Sequence, residues 1–150
     1  MNNTYKITTR SDEETIEVAQ NLESEKFPNM VICLNGDLGS GKTVFTKGFA
    51  SAMAIEDVTS PTFNIIKEYV GELPLYHIDV YRTNGKIDNL GIEEYFDKGG
   101  VTIIEWAEMI EDVLPLERLD ITFKITGENS RVMVITPHGE KYIRACEDAL

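Results

Sequence analysis

The sequence predicts an α/β fold in a single domain, 1–150, with a mixed parallel and antiparallel sheet flanked by helices. The chain has 150 residues, of which 42% are apolar, and this supports one core of ordinary size. Residues 30–35 form an apolar run of strand length, which is typical of a buried parallel strand. Two segments rich in turn residues, 70–74 and 127–130, separate strand-like runs and therefore predict antiparallel hairpins.

The first elements follow from local periodicity. A strand is predicted within 1–9, because apolar side chains alternate with polar ones there. Ser11 and Glu14 have the spacing of a capping box, which marks the start of a helix. Apolar residues then recur at helical spacing, so the first helix is expected over 12–24.

A strand, a loop and a helix follow one another next, which is how an α/β unit begins. The apolar run ends at a glycine-rich loop, 36–41, and residues 42–54 are expected to be helical. The first hairpin is predicted from strands at 63–69 and 75–80, since Gly and Pro lie between them.

The second half of the chain is interpreted from the same signals. Two glycines precede an apolar strand, a proline ends a short helix, and a turn separates two alternating strands. Apolar and small residues share one face of a last helix. In order, the predicted elements are a helical turn at 92–97, a strand at 101–104, a helix at 106–113, strands at 119–125 and 132–136, and a helix containing Tyr142, Ala145, Cys146 and Ala149.

Charge and composition exclude several classes of function. Fourteen basic and 26 acidic residues give a net charge of −12, which disfavours unaided binding of nucleic acid. No apolar run approaches the length of a membrane span, and no secretory signal opens the chain. Two cysteines make no disulfide framework, so a cytoplasmic protein is expected. The histidines, His77 and His138, lack the spacing of a zinc site.

Residues 36–43, GDLGSGKT, match the pattern G-x-x-x-x-G-K-[ST] of a phosphate-binding loop. Glycines allow backbone N–H groups to surround an anion, and the following helix directs its positive end at it. Lys42 would reach the β- and γ-phosphates, and Thr43 would offer its hydroxyl to Mg²⁺. The sequence therefore predicts a P-loop nucleotide-binding fold.

Two carboxylates are candidates for work beside that loop. Asp79 and Glu105 each end an apolar strand, where ligands of α/β proteins bind. Either residue can be a metal ligand, a ligand through water or a base for an attacking water, and spacing alone does not assign these roles. A solvated strand end is the alternative for each.

Trp106 is expected in the core, although it adjoins Glu105. Residues 60–63 are interpreted as a polar turn on their own evidence.

Five motifs occur in order along the chain: GDLGSGKT at 36–43, SPTF at 60–63, HIDVYR at 77–82, GIEEYF at 91–96 and IEWAE at 104–108. In this combination and spacing the chain resembles, over essentially its whole length, the TsaE family, small bacterial P-loop ATPases of tRNA threonylcarbamoyladenosine biosynthesis. The resemblance implies ATP and Mg²⁺ as cofactors and TsaD and TsaB as partner subunits. It implies hydrolysis that is weak alone and partner-dependent, with tRNA contacted only through the complex.

The resemblance also implies roles for individual residues. Lys42, Asp79 and Glu105 would be catalytic, with Thr43 and Glu105 at the Mg²⁺ positions. Residues 60–63 would be a switch-like segment. The implied nucleotide-binding residues are Asp12, Asp37, Leu38, Gly39, Ser40, Gly41, Lys42, Thr43 and Arg131.

The main hypothesis is therefore an ATPase subunit in which water attacks the γ-phosphate. Two alternatives come from other classes. A small-molecule kinase would need an acceptor pocket and a lid rich in arginine, and the five arginines of this chain form no such cluster. A nucleotide-dependent binding module, in which the bound state matters more than turnover, overlaps with the ATPase hypothesis. Phosphate release with and without partner proteins separates these two.

Overall fold

Seven strands form one mixed sheet in the structure, a computed structural model that describes residues 4–59, 65–88 and 90–150. Four central strands are parallel, and antiparallel strands flank them on both sides. The spatial order is β1-β7-β6-β2-β5-β4-β3. The strands are β1 (Tyr5–Thr9), β2 (Val31–Gly36), β3 (Ile66–Tyr69), β4 (Leu75–Asp79), β5 (Val101–Glu105), β6 (Arg118–Ile125) and β7 (Arg131–His138). The predicted α/β class with a mixed sheet is confirmed.

Helices cover the two faces of the sheet unequally. On one face, α-helices enclose the larger apolar cluster, which includes Phe45, Phe49 and Tyr142. On the other face, 3₁₀-helical segments enclose a smaller cluster around Cys33 and Ile104. The α-helices are α1 (Asp12–Glu23), α2 (Lys42–Ala52) and α3 (Glu140–Ala149), and the 3₁₀ helices are Tyr81–Thr83, Ile92–Asp97 and Ala107–Val113.

Both predicted hairpins are present, and they add the antiparallel strands to the parallel centre. β3 pairs with β4, and β6 pairs with β7. The strands of the second hairpin are longer than predicted. Residues 63 and 64 of the first predicted hairpin lie outside the described part of the chain. The apolar strand β2 lies between β5 and β6 and is parallel to both, as its composition indicated.

Helix boundaries differ from the prediction where local geometry intervenes. α2 ends at Ala52 instead of residue 54, because Ala54 adopts a left-handed conformation with φ of 62°. The helix predicted at 106–113 begins one residue later and is 3₁₀, since Trp106 is also left-handed. The capping box is half formed: Ser11 Oγ accepts from the Glu14 N–H at 3.2 Å, but the Glu14 carboxylate accepts from the Arg10 N–H.

Within the described ranges, no helix is long and apolar enough to cross a membrane.

Helices α1 and α2 pack closely because α2 has a glycine at their contact. A methyl group built on Gly48 would lie 2.9 Å from the Ile16 Cα atom and 3.2 Å from the Ala19 Cβ atom. Those atoms belong to the backbone and the first side-chain carbon of α1, so they move only if the whole helix moves. This close approach brings the start of α1 beside the loop that precedes α2.

We expect Gly48→Ala to lower the free energy of unfolding by about 1–2 kcal/mol, because overpacking outweighs the gain in helix propensity. Lys47→Ala, at an exposed position of the same helix, is the matched control and should change it by less than about 0.5 kcal/mol. Urea denaturation measures both. A Gly48→Ala protein more stable than the parent would contradict the packing described here.

Candidate functional site

The loop between β2 and α2 depends on two glycines. Gly36 has φ of 143°, and a Cβ atom there would lie 2.7 Å from the Phe123 carbonyl oxygen on β6. Gly41, with φ of 114°, is the N-cap residue that immediately precedes α2. Because Gly41 has no side chain, none from that position caps the first N–H groups of α2. The positive end of this helix therefore faces the cavity beside the loop.

Lys42 folds back over its own loop. Its Nζ atom donates to the carbonyl oxygens of Gly36 and Asp37, the latter at 3.0 Å. The same atom lies 4.0 Å from the centre of the Trp106 ring, in cation–π contact. Burial lowers the pKa of the Lys42 ammonium group, and the nearby carboxylates, Glu105 foremost, oppose that shift. The cation is thus held in place, largely buried, by the loop and by one aromatic ring.

Glu105, at the end of β5, joins two partners that the sequence placed far apart. Its Oε1 atom accepts from the Thr43 hydroxyl at 3.3 Å, and its Oε2 atom lies 2.5 Å from His77 Nε2. His77 is fully buried and Glu105 is 3% exposed. Thr43 and Glu105, which the resemblance implies at the Mg²⁺ positions, are therefore in contact, whereas His77 was not predicted as part of the site.

Asp79 ends β4 directly opposite Glu105 in the parallel pair of β4 and β5. Its Oδ1 atom accepts from the Tyr81 N–H at 3.0 Å, which shapes the turn into the 3₁₀ helix that follows. Burial raises the pKa of the Asp79 carboxyl, and the Glu105 charge raises it further. The two acids named from the sequence thus lie side by side at the carboxyl end of the parallel strands.

The turn after β5 connects this edge to the loop. The Trp106 N–H donates to the Leu34 carbonyl at 2.9 Å, and the Trp106 ring packs 4.6 Å from the Tyr81 ring. The Glu108 N–H donates to Asn35 Oδ1 at 2.9 Å. Burial raises the pKa of the Glu108 carboxyl. Trp106 is half-buried: it packs against the smaller apolar cluster, in line with the expected core position, and it also borders the cavity.

A cavity of about 950 Å³ opens between the loop, the start of α1 and the ends of β4 and β5. It brings together almost all of the residues singled out from the sequence. Asp37 is the exception: it contributes its carbonyl to Lys42 and does not line the cavity. The predicted site residues that line it are Asp12, Leu38, Gly39, Ser40, Gly41, Lys42, Thr43, Asp79, Glu105 and Arg131.

Asp12 and Arg131, which came only from the resemblance, lie on the same side of this cavity as the loop. Asp12 is the first residue of α1, and Arg131 is the first residue of β7. Arg131 Nη2 donates to the Gly39 carbonyl at 3.1 Å, so it contacts the loop directly. The segment 60–63 lies outside the described residues.

Three residues of the site were missed or left without a role. His77 lies two positions before Asp79 on β4, and strand alternation places both on one face. That spacing was a usable signal. Asn35, in β2, and Glu108, in the turn after β5, are joined by the hydrogen bond from the Glu108 N–H to the Asn35 side chain. Nothing in the positions of these two residues along the sequence indicates this hydrogen bond.

The chemistry of these groups suits an anion and a small hard cation. The start of α2 and Lys42 attract negative charge, whereas Asp79, Glu105 and Glu108 surround Lys42 with an excess of carboxylate. Thr43 and Glu105 offer oxygen atoms, which Mg²⁺ prefers. In the described part of the chain, no group of three or more His, Cys, Asp or Glu residues could hold a metal ion. A cation here would therefore need further ligands, as Mg²⁺ usually takes from phosphate and water.

The mixed sheet and the loop together define an α/β protein with a phosphate-loop signature between a buried parallel strand and a helix. Residues 9–133 match the sequence profile of the family described as threonylcarbamoyl adenosine biosynthesis protein TsaE. The chain belongs to the TsaE family, as its five motifs indicated.

Individual relatives agree with this assignment. A Bacillus subtilis protein named tRNA threonylcarbamoyladenosine biosynthesis protein TsaE is 48% identical over 93% of this chain and 90% of its own length. A Rickettsia bellii protein of the same name is 36% identical over 84% of this chain and 90% of its own. The crystal structure of Bacillus subtilis YdiB superposes with a TM-score of 0.88 at 44% identity, covering 99% of this chain and 95% of that one.

The contact between Lys42 and Trp106 makes a spectroscopic prediction, because the chain has a single tryptophan. Lys42→Met removes the ammonium group from the ring face and keeps the apolar stem. We expect its tryptophan emission to differ from that of the parent in intensity or wavelength. Lys47→Met, on the exposed side of α2, should leave the spectrum unchanged. Superimposable spectra for Lys42→Met and the parent would show that the ammonium group does not lie over the ring.

Proposed function

We propose that this protein is a Mg²⁺-dependent ATPase subunit that acts in the threonylcarbamoyladenosine modification of tRNA, together with TsaD and TsaB. One observation carries the proposal: a single cavity collects the uncapped start of α2, Lys42 and the Thr43–Glu105 pair. These are the groups that hold phosphate, neutralise its charge and offer oxygen ligands to a cation. The names of the relatives support the tRNA role.

Lys42 would exchange partners when nucleotide binds. Its ammonium group donates to two neutral carbonyls of the loop, and bonds from a cation to phosphate oxygens are stronger. The backbone N–H groups at the start of α2 would bind the phosphates at the same time. Lys42 then stabilises the negative charge that develops on the transferred phosphoryl group.

Thr43 and Glu105 would hold the cation between them, since their oxygen atoms are 3.3 Å apart and face the cavity. Mg²⁺ supplies charge neutralisation at the phosphates when it is bound. Asp79, beside Glu105 and with a carboxyl pKa raised by burial, is suited to orient the attacking water and accept its proton. Asp12 and Arg131, which line the cavity on the side of the loop, would contact the nucleotide as well.

The tRNA contact would come through the partner subunits. A net charge of −12 repels a polyanion at long range, so the chain alone is a poor ligand for tRNA. This subunit would therefore carry out the nucleotide chemistry, and its partners would contact the RNA.

We expect Lys42→Ala to lower ATP hydrolysis at least 100-fold. In other enzymes, removing one donor that stabilises the negative charge of the transition state raises the activation free energy by about 3 kcal/mol, which is a rate loss of this size. Phosphate release would be measured for the protein alone and with TsaD and TsaB added. Lys47→Ala, an exposed lysine on the same helix, serves as the control and should keep the parental rate. Equal hydrolysis by Lys42→Ala and the parent would contradict the assignment of the loop. Nucleotide binding without hydrolysis, even with the partners present, would identify a nucleotide-dependent binding module instead.

A second prediction concerns tRNA. At physiological salt, the isolated protein should give no gel shift with tRNA at submicromolar concentration, because it lacks the clustered basic charge that phosphate neutralisation requires. The same tRNA with TsaD, TsaB and this protein together is the positive control. Submicromolar binding by the isolated chain would refute the division of roles proposed here.

A further inference from the structure

His77 lies behind Glu105, away from the cavity. Glu105, Asp79 and Thr43 line the cavity, whereas His77 does not. Its side chain is fully buried, and its Nε2 atom lies 2.5 Å from Glu105 Oε2. A buried ion pair or polar pair of this kind contributes little net stability compared with apolar residues of the same size. The stability of the fold therefore does not account for the presence of the His77–Glu105 pair.

The sheet register explains why the two side chains meet. β4 and β5 are parallel, with Asp79 opposite Glu105 and His77 opposite Ile103. His77 is thus the diagonal neighbour of Glu105, at a separation that long side chains bridge. Thr43 approaches the same carboxylate from α2, with its hydroxyl 3.3 Å from Oε1. The two oxygen atoms of Glu105 are held from opposite sides, so the carboxylate cannot rotate freely.

The surroundings of the two ring nitrogens of His77 indicate which of them carries the proton. Its Nδ1 atom is buried and has no hydrogen-bond partner among the described residues. An unpaired lone pair is tolerated in a protein interior better than an unpaired N–H group. The proton therefore belongs on Nε2, which donates to Glu105 Oε2.

We propose that His77 is a positioning residue, which holds Glu105 so that Oε1 faces Thr43 and the cation of the proposed function. This inference rests on that function, because it concerns the same cation. His77 itself touches neither nucleotide nor metal. It acts as residues that hydrogen-bond to a metal ligand do: the hydrogen bond fixes the direction in which the oxygen atom of the ligand points.

Two variants of His77 separate positioning from simple filling of space. His77→Phe keeps a ring of similar size and removes the donor, so the carboxylate is free to turn. His77→Gln places an N–H donor at a similar reach. We expect His77→Phe to raise at least fivefold the Mg²⁺ concentration that half-saturates the Mg²⁺-dependent part of ATP binding, measured by calorimetry. Its affinity for ATP in EDTA should stay within twofold of the parent, and His77→Gln should restore the Mg²⁺ midpoint to within twofold.

Glu105→Gln is the reference for a lost ligand charge and should raise the Mg²⁺ midpoint at least as much. If the parent shows no Mg²⁺ dependence, or Glu105→Gln leaves it unchanged, the proposed function is wrong in its cation site. If Glu105→Gln raises the midpoint and folded His77→Phe does not, the positioning role of His77 is wrong. These two failures are therefore distinguishable.

A measurement on the unmutated ring covers the case in which His77→Phe does not fold. The chain has two histidines, so ¹⁵N–¹H spectra of the rings are assigned by removing one with His138→Gln. We expect the Nε2 atom of the His77 ring to carry a proton. A proton on Nδ1 alone would leave no donor toward Glu105 and would overturn the inference.

Discussion

The parallel pairing of β2 with β5 is the constraint on which the site depends. Parallel strands end at the same edge of a sheet, so the loop after β2 and the carboxylate at the end of β5 must meet there. Two hydrogen bonds, from the Trp106 N–H to the Leu34 carbonyl and from the Glu108 N–H to the Asn35 side chain, continue the contact between β2 and the chain after β5. The approach of Gly36 to the Phe123 backbone fixes the same loop against β6 on its other side.

This arrangement concentrates charge in a place where charge is costly. Lys42, Asp79 and Glu105 are wholly or partly buried at one sheet edge, with Glu108 beside them, and removing charged groups from water carries a free-energy cost. The structure offsets part of that cost with specific partners: loop carbonyls and an aromatic ring for the lysine, a hydroxyl and an imidazole for Glu105, and backbone N–H groups for the other two acids. Excess carboxylate remains, which is an electrostatic preference for a cation.

Most of the fold and the centre of the site could be predicted from sequence, because their signals are local. The apolar run of β2, the glycines of the loop and the strand-ending acids each depend on a few neighbouring residues. His77 shows where such reasoning stops. Its partner is 28 positions away, and only the register of β4 against β5 brings them together. Trp106 shows a second limit, because a left-handed tryptophan contradicts the local preference that predicted a helix there.

The left-handed backbone of Trp106 is an unfavourable conformation for a bulky residue. Glycine accepts a φ of 63° without strain, whereas a bulky residue there costs about 1–3 kcal/mol. Relief of the strain by Trp106→Gly would also remove the ring beneath Lys42 and its contact with Tyr81. Relief of the backbone strain and the packing of the Trp106 ring therefore oppose each other at this single position. Glycine would free the backbone and release the ordered cation, so the lysine is held in place at the expense of a strained residue beside it.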